Sequence, residues 1–269
     1  KFGVVTSLTI NRGEVHSFCF QTSFDRTGGS SGSPVFDAQG RVIGIHTSGT
    51  DTTSIELRVE YLKDALEVFR GTGERKLKRG TIGIELDLCR TSNAIKHYSY
   101  PKALVEELRA KWADLKHILA VERIVPHGSV SEILRPGDII HAVNGELIGN
   151  NLYLFDKLVD GCTGKSIALT IYRNGIEKTF EVLVEDAEAQ RVTKFALYAG
   201  GVFHDLTPVL RSRFSITGPG VFLTQVMKGS CLSSLGEGSN KHPTSYIVVL
   251  EEFCGMQTHS LDEFIEAVT

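Results

Sequence analysis

The sequence predicts a mainly β protein that also contains α+β modules, and three observations carry this prediction. Residues 1–70 consist of short runs rich in β-branched and aromatic residues, separated by turns. Later in the chain, similar runs alternate with amphipathic stretches at helical spacing. A Gly/Ser-rich loop at residues 27–34 lies between the strand-like runs of the first part. At 269 residues, the chain is long enough for two or three domains.

The composition is that of an ordinary globular protein. Hydrophobic residues make up 41% of the chain and charged residues 23%, and the net charge of −3 gives no support for wholesale binding to nucleic acid or to a membrane surface. No apolar run approaches the roughly 18–20 residues of a membrane span. Because the chain has neither an initiator Met nor a secretory leader, we expect it to be the downstream part of a longer protein.

The cysteines are few, odd in number and without CxxC spacing. Such a set argues against a disulfide framework and against a zinc site, and we expect no metal and no cofactor. We expect most of them to be buried as small hydrophobic residues, and a reducing, intracellular compartment is favoured. The positions are Cys19, Cys89, Cys162, Cys231 and Cys254.

The first part of the chain predicts a small β domain. Strands are predicted over residues 3–10, 16–22, 34–37, 41–47 and 54–59, and an amphipathic helix over residues 61–70. About five strands are too few for a closed barrel that covers its own edges. We therefore expect further strands upstream of this sequence.

Ser31 is the candidate nucleophile. Gly28 and Gly29 precede Ser30-Ser31 and Gly32 follows, so the backbone can turn tightly with positive φ angles. Such a turn projects one hydroxyl from a rigid base and aims successive N–H groups into one concavity, as an oxyanion hole requires. Taken alone, the pattern fits an ordinary Gly/Ser hairpin loop equally well.

Residues 80–186 predict a second module, after a basic, Gly-containing linker at residues 71–79. It contains Pro136-Gly137-Asp138 before an apolar run, and Asn144-Gly145, which is a favoured hairpin turn. A helix is predicted over residues 152–159, a closing hairpin over 167–172 and 179–184, and a charged helical segment over 101–116. In that last segment Leu104, Leu108 and Trp112 form the predicted core stripe.

The motifs together resemble the HtrA/Deg family, in which a trypsin-like serine protease domain is followed by PDZ domains. Gly-x-Ser-Gly-x-Pro around Ser31 resembles the nucleophile loop of chymotrypsin-like proteases, and residues 80–84 resemble the PDZ loop that binds a peptide's terminal carboxylate. Two positions depart from the family pattern, because Ser33 replaces a glycine and Ser30 replaces an Asp or Asn. Both residues are small enough for such a turn.

The resemblance implies three domains. Residues 1–73 would be the C-terminal half of a chymotrypsin-like β-barrel protease domain, residues 80–186 a PDZ domain, and residues 193–269 a degenerate PDZ-like domain that lacks the Gly-Asp and Asn-Gly motifs. The inserted segment and the last unit are similar to the large eukaryotic branch of the family, typified by the yeast nuclear pro-apoptotic serine protease, and the protein would belong to that branch or be a bacterial relative of it. That branch implies a nuclear location.

The resemblance also implies the site residues. Ser31 would be the nucleophile, with the N–H groups of Gly29 and Ser31 as the oxyanion hole. The catalytic His and Asp are expected upstream of Lys1, so this fragment alone is expected to be inactive. We expect His46 to be a pocket or core histidine rather than the general base. Asp25 stands six residues before Ser31, where trypsin-like enzymes place an acidic pocket floor, although HtrA pockets usually accept small apolar residues.

Two binding surfaces are implied for polypeptides. Backbone groups of Thr47, Ser48 and Gly49 are expected to pair with an extended substrate. Peptide C-termini are expected at the PDZ loop formed by Thr81, Ile82, Gly83 and Ile84.

The function that follows is an ATP-independent serine endopeptidase of protein quality control, with possible homo-oligomerisation through the missing N-terminal region. The alternative is a protease-derived chaperone or peptide-binding scaffold whose catalysis is lost. A pure PDZ adaptor is hard to reconcile with a complete nucleophile loop.

Overall fold

The structure, a computed structural model, describes residues 3–11, 18–24, 29–50, 52–71, 78–126, 128–233 and 248–269. These residues form a mainly β protein with α+β modules, as the sequence predicts. The chain divides into two compact units, Lys1–Ala187 and Glu188–Thr269. The predicted residues 1–73 and 80–186 both lie in the first unit, so their separation into two domains stays a prediction.

The first unit begins with a five-stranded antiparallel sheet in the order β1-β2-β5-β4-β3, followed by helix α1. Every strand predicted here is present, as is the helix, although residues 16 and 17 of the predicted second strand lie outside the described part. The elements are β1 (Val5–Asn11), β2 (Phe18–Thr22), β3 (Pro34–Phe36), β4 (Val42–Gly49), β5 (Ser54–Arg58) and α1 (Val59–Gly71).

The rest of the first unit is built on a second sheet, in the order β12-β11-β9-β8-β7 with β10 beside β9. Strands β6 and β13 form a separate pair. The elements are β6 (Gly80–Thr81), β7 (Ile84–Arg90), α2 (Thr91–Tyr98), α3 (Lys102–Lys111), β8 (His117–Ile124), β9 (Ile139–Val143), β10 (Glu146–Leu147), α4 (Leu152–Asp160), β11 (Ser166–Arg173), β12 (Ile176–Leu183) and β13 (Glu185–Asp186).

The predicted charged helix is α3, and its core stripe is confirmed. Leu108 is buried, and Leu104 and Trp112 pack against the same apolar cluster. Helix α2 was not predicted from the sequence. It has eight residues, and its N-cap residue, Arg90, provides no side-chain hydrogen bond to the helix, so the usual capping signal is missing.

One apolar cluster joins the two sheets of the first unit. It is formed mainly by the second sheet and α4, but it includes Phe18 from β2, and Tyr61 from α1 packs against it. Strand β1 also lies beside β7. The elements that resemble a protease and those that resemble a PDZ domain thus share buried apolar surface.

The second unit has a four-stranded sheet in the order β14-β15-β16-β17, and a small hairpin of β18 and β19. Ser260 caps its last helix as predicted, because the Ser260 hydroxyl accepts from the Glu263 N–H at 3.3 Å. After a 3₁₀ helix (Ala187–Gln190), the elements are β14 (Ala196–Tyr198), β15 (Gly201–Asp205), α5 (Pro208–Phe214), β16 (Val221–Val226), β17 (Val248–Leu250), β18 (Glu252–Phe253), β19 (Met256–Gln257) and α6 (Leu261–Val268).

The cysteines are less buried than predicted. None of the five forms a disulfide; only Cys19 is buried, while Cys231 and Cys254 are exposed. The expectation that most are core residues is therefore wrong for the second unit, where both cysteines lie in turns outside the sheet. Within the described ranges, no helix is long and apolar enough to cross a membrane, and no group of three or more His, Cys, Asp or Glu side chains is arranged to hold a metal ion.

Candidate active site and peptide-binding loop

Ser31 lies on an exposed turn that leads into β3. The turn is shaped by Gly29 and Gly32, whose φ angles of 87° and 86° fall in the left-handed region that favours glycine. The N–H of Ser33 donates to the carbonyl of Ser30 at 3.1 Å and closes the turn around Ser31. Asp25 lies outside the described residues, together with the start of this loop at residues 27 and 28.

Hydrogen bonding within the described part of the turn separates the two N–H groups of the predicted oxyanion hole from their neighbours. Among the described residues, no acceptor is hydrogen-bonded to the N–H of Gly29 or of Ser31. Their neighbours in the same turn, Gly32 and Ser33, both have acceptors. Unpaired N–H groups are suited to an incoming oxyanion, and the role of these two groups stays a prediction.

Strand β4 holds the turn in place through the backbone of His46. The N–H of Gly32 donates to the His46 carbonyl at 2.8 Å, and the His46 N–H donates to the Ser33 carbonyl at 2.9 Å. These bonds bracket the peptide that follows Ser31. The nucleophile candidate is therefore fixed to β4, where the pairing of β4 with β3 ends, rather than carried on a free loop.

The side chain of His46 forms a buried polar chain across three adjacent strands. Its Nδ1 lies 3.2 Å from Glu56 Oε2 on β5, and the hydroxyl of Thr22 on β2 donates to Glu56 Oε1 at 2.9 Å. Glu56 is completely buried, Thr22 is 2% exposed and His46 9% exposed. The sequence analysis missed Glu56, because strand alternation groups it with Ser54, opposite Ile55 and Leu57, and so predicts the polar face of β5.

No general base is hydrogen-bonded to Ser31 in the described part of the chain. The imidazole of His46 is bonded to Glu56 and not to the Ser31 hydroxyl, which agrees with its expected place in the pocket or core. A serine hydroxyl needs such a base to attack a carbonyl at neutral pH.

The predicted substrate strand, Thr47 to Gly49, has one open edge. Strand β5 pairs with β4 as far as the Gly49–Ser54 pair, whereas the pairing with β3 ends at Ile45–Pro34. Beyond Ile45, no described strand occupies the β3 side, and this edge begins beside the Ser31 turn. The hydroxyl of Ser48 is buried and has no hydrogen-bond partner among the described residues.

The residues of the predicted PDZ loop connect β6 to β7. Gly83 has a φ angle of 71°, and its N–H donates to the Thr81 hydroxyl at 3.0 Å. The side chains of Ile82 and Ile84 are buried in the cluster that also contains Phe18. The structure thus brings the four predicted residues together beside β7, with apolar side chains that already have partners.

Comparison with known proteins confirms the resemblance to HtrA-type serine proteases that the sequence motifs indicate. Three fungal proteins named pro-apoptotic serine protease NMA111 align with most of the chain: 26% identity over 93% of it in Eremothecium gossypii, 27% over 91% in Saccharomyces cerevisiae and 28% over 99% in Aspergillus fumigatus. The profile of the family described as Peptidase S46 matches residues 9–65.

The chain spans only about a quarter of the length of these relatives, covering 24% to 26% of each. Among solved structures, the HtrA-type protease AlgW with a decapeptide aligns with 68% of this chain and 55% of its own, at 17% identity and a TM-score of 0.42.

Proposed function

We propose that the chain carries the nucleophile half of an HtrA-type serine endopeptidase that hydrolyses peptide bonds of unfolded or regulatory proteins. The observation that carries the proposal is the Ser31 turn. It is bracketed by backbone bonds to His46 and lies beside the edge at Thr47 to Gly49, and among the described residues neither the N–H groups of Gly29 and Ser31 nor this edge has a partner.

The chemistry follows from this geometry. A substrate strand adds to the open edge of β4, which places its scissile carbonyl beside Ser31. The Ser31 hydroxyl attacks that carbonyl and passes its proton to a general base, and the developing oxyanion accepts hydrogen bonds from the N–H groups of Gly29 and Ser31. The C–N bond then breaks, the amine leaves with that proton, and water hydrolyses the acyl-enzyme. The general base and its carboxylate partner would come from residues outside this sequence, so the isolated chain would be inactive.

The test is covalent labelling by a fluorophosphonate, which reports an activated serine without requiring a particular substrate. We expect labelling of the full-length protein to be abolished by Ser31→Ala and unaffected by Ser92→Ala, a matched change at an exposed serine of α2. The isolated 269-residue chain should show no labelling. Full-length protein that folds but is not labelled at Ser31 would reject the endopeptidase and favour the catalytically lost scaffold.

The scaffold alternative is favoured by one observation, the lack of a base hydrogen-bonded to Ser31 among the described residues.

Peptide binding at Thr81 to Ile84 belongs to both proposals. Because Ile82 and Ile84 share a buried cluster with Phe18, we expect binding to require movement of Phe18. Fluorescence anisotropy with a labelled peptide tests this, since a free C-terminal carboxylate should bind and the amidated peptide should not.

Two further proposals rest on the resemblance alone. A nuclear location would be tested by imaging the tagged protein, and homo-oligomerisation by light scattering of the full-length protein. Diffuse or excluded signal in the first experiment, or a monomeric mass in the second, would reject the corresponding proposal.

A further inference from the structure

The polar chain of Thr22, Glu56 and His46 is buried on a face of the sheet where apolar side chains are usual. The same face of the sheet buries Phe20, and the backbone at Gly44 packs against that ring. Burying a carboxylate without partners costs several kcal/mol, about as much as a core residue contributes, and hydrogen bonds only offset part of this cost. An apolar trio would fill the same space at lower cost, so packing alone does not explain these residues.

The chain of hydrogen bonds has a direction. The Thr22 hydroxyl can only donate to Glu56 Oε1 in this contact, because an ionised carboxylate only accepts. For the same reason, Nδ1 of His46 carries a hydrogen toward Glu56 Oε2. The ring is thereby fixed in one orientation, and Nε2 is the atom left for another partner. No described residue is hydrogen-bonded to Nε2.

The location of His46 connects this ring to the proposed site. Its backbone is bonded to Gly32 and Ser33, and the next three residues of β4 are the proposed substrate edge. The scissile carbonyl must lie within reach of Ser31 and of the two N–H groups. The residue that bears this carbonyl, called P1, therefore lies next to His46, and a side chain of moderate length can reach the ring.

We propose that His46 is a specificity-determining residue that selects a P1 side chain with a planar polar end, glutamine or glutamate. This inference rests on the proposed endopeptidase function. Glu56 is a positioning residue that acts through His46, and Thr22 holds Glu56 in turn. A neutral imidazole accepts at Nε2 from the glutamine amide, whereas a protonated imidazole donates from Nε2 to the glutamine carbonyl or the glutamate carboxylate. Glutamine thus suits both states of the ring.

The experiment compares two classes of covalent probe on the full-length protein. Diphenyl phosphonate peptides that differ only at P1 (Gln, Glu, Val and Lys) report the pocket, and the fluorophosphonate, which has no P1 side chain, reports the reactivity of Ser31. The variants are His46→Leu, which has similar bulk without a ring nitrogen, and Glu56→Gln, which keeps the shape of the positioning side chain. Thermal unfolding of each variant shows whether it is folded.

We expect Gln or Glu probes to label at least about 10-fold faster than Val and Lys probes, the discrimination that a hydrogen bond to a buried polar group supplies. In His46→Leu this preference should disappear or shift to Val, so the ratio of Gln-probe or Glu-probe labelling to fluorophosphonate labelling should fall toward the ratio for Val. Glu56→Gln should lower the preference less, because the amide oxygen of the substituted side chain can still accept from Nδ1–H. If His46→Leu does not fold, Glu56→Gln alone still tests the coupling, since it must reduce the ratio of Gln-probe or Glu-probe labelling to fluorophosphonate labelling.

Three results would overturn the inference, and they are distinguishable from failure of the proposed function. Labelling of Ser31 without preference for Gln or Glu rejects the role of His46 in P1 selection and leaves the endopeptidase proposal intact. A preference that survives His46→Leu assigns it to other residues. Loss of fluorophosphonate labelling in folded His46→Leu would make His46 the general base. By contrast, the absence of any Ser31-dependent labelling in the wild type rejects the endopeptidase itself.

Discussion

The hydroxyl of Tyr61 donates a hydrogen bond of 2.7 Å to Oδ2 of Asp156, and it accepts one of 3.1 Å from the N–H of Phe18. Tyr61 belongs to α1 and Asp156 to α4, so this contact joins the helix that follows the first sheet to a helix packed on the second. Arg79 adds charge on the same side, with its guanidinium 3.8 Å from Asp156. The first unit is thereby held together by polar contacts as well as by its shared apolar cluster.

Stability of the first unit should fall as pH rises toward neutrality because of Asp156. Burial raises the pKa of this carboxyl from 3.8 to about 7, against the lowering effects of the Tyr61 hydrogen bond and of Arg79. The folded state therefore holds a proton that the unfolded chain has already released. The stabilisation is complete below the unfolded pKa and is lost by the time pH passes the folded one, at most about 4 kcal/mol for a pKa difference of roughly three.

The measurement is urea unfolding at pH 5 and pH 8, followed by the fluorescence of Trp112, the single tryptophan of the chain. Asp156→Asn keeps the shape of the side chain and removes its titration. Relative to the wild type, the unfolding free energy of the variant should therefore be higher at pH 8 than at pH 5. Tyr61→Phe should raise the Asp156 pKa further and move the loss to higher pH. If the unfolding free energy of Asp156→Asn changes between pH 5 and pH 8 by as much as that of the wild type, Asp156 is not the cause of the pH dependence.

A buried ion pair fixes the loop before β9. The guanidinium of Arg173 donates from Nε and from Nη2 to the carboxylate of Asp138, each at 2.7 Å, and donates from Nη2 to the Ile133 carbonyl at 2.8 Å. Asp138 is 1% exposed. It also accepts from the N–H of Arg135 at 2.8 Å. Hydrogen bonding to Asp138 raises the pKa of Arg173.

Removing either partner should destabilise the fold to different extents. Arg173→Leu leaves a buried carboxylate without its cation, and we expect a loss of about 3–5 kcal/mol. Asp138→Ala leaves the guanidinium, which is 18% exposed and can recruit water, so the loss should be smaller. Denaturant unfolding of the two variants and of the double variant measures both costs. Equal costs for the two single variants would show that solvent does not reach Arg173.

Local patterns were enough to predict much of this fold. Alternating strands, the Asn144-Gly145 turn and the Ser260 cap act over a few residues, and each is where the sequence indicates. The partner of His46 was not predictable in this way, because Glu56 lies ten residues away and meets the ring only through the pairing of β4 with β5. The same holds for Phe18 and Tyr61, whose place in the shared cluster depends on how the two sheets pack.

The turn around Ser31 was predicted because glycine has a local signature. Which N–H groups have acceptors was not predictable, since the acceptors of Gly32 and Ser33 include atoms of His46 and Ser30 set by the fold. The open edge beyond Ile45 also depends on where β3 stops pairing. The residue at which two strands stop pairing depends on tertiary structure, and local propensity does not determine it.

Gly29 and Gly40 provide a matched pair that separates strain from catalysis. Their φ angles are 87° and 77°, and a methyl group added at either would meet no atom within 4 Å. Alanine at either position therefore costs only the strain of a left-handed backbone, about 1–2 kcal/mol. Gly40 lies in the turn between β3 and β4, whereas Gly29 supplies an N–H to the proposed oxyanion hole. Both variants should lower the unfolding free energy by similar amounts.

Only Gly29→Ala should slow labelling of Ser31, because relief of the strain rotates the Gly29 N–H away from the oxyanion. The loss of one such donor typically reduces rates by about 10²–10³-fold. The measurement is the rate of fluorophosphonate labelling of the full-length protein, with thermal unfolding of each variant in parallel. If Gly29→Ala and Gly40→Ala slow labelling equally, the effect is one of stability, and the Gly29 N–H has no part in the reaction.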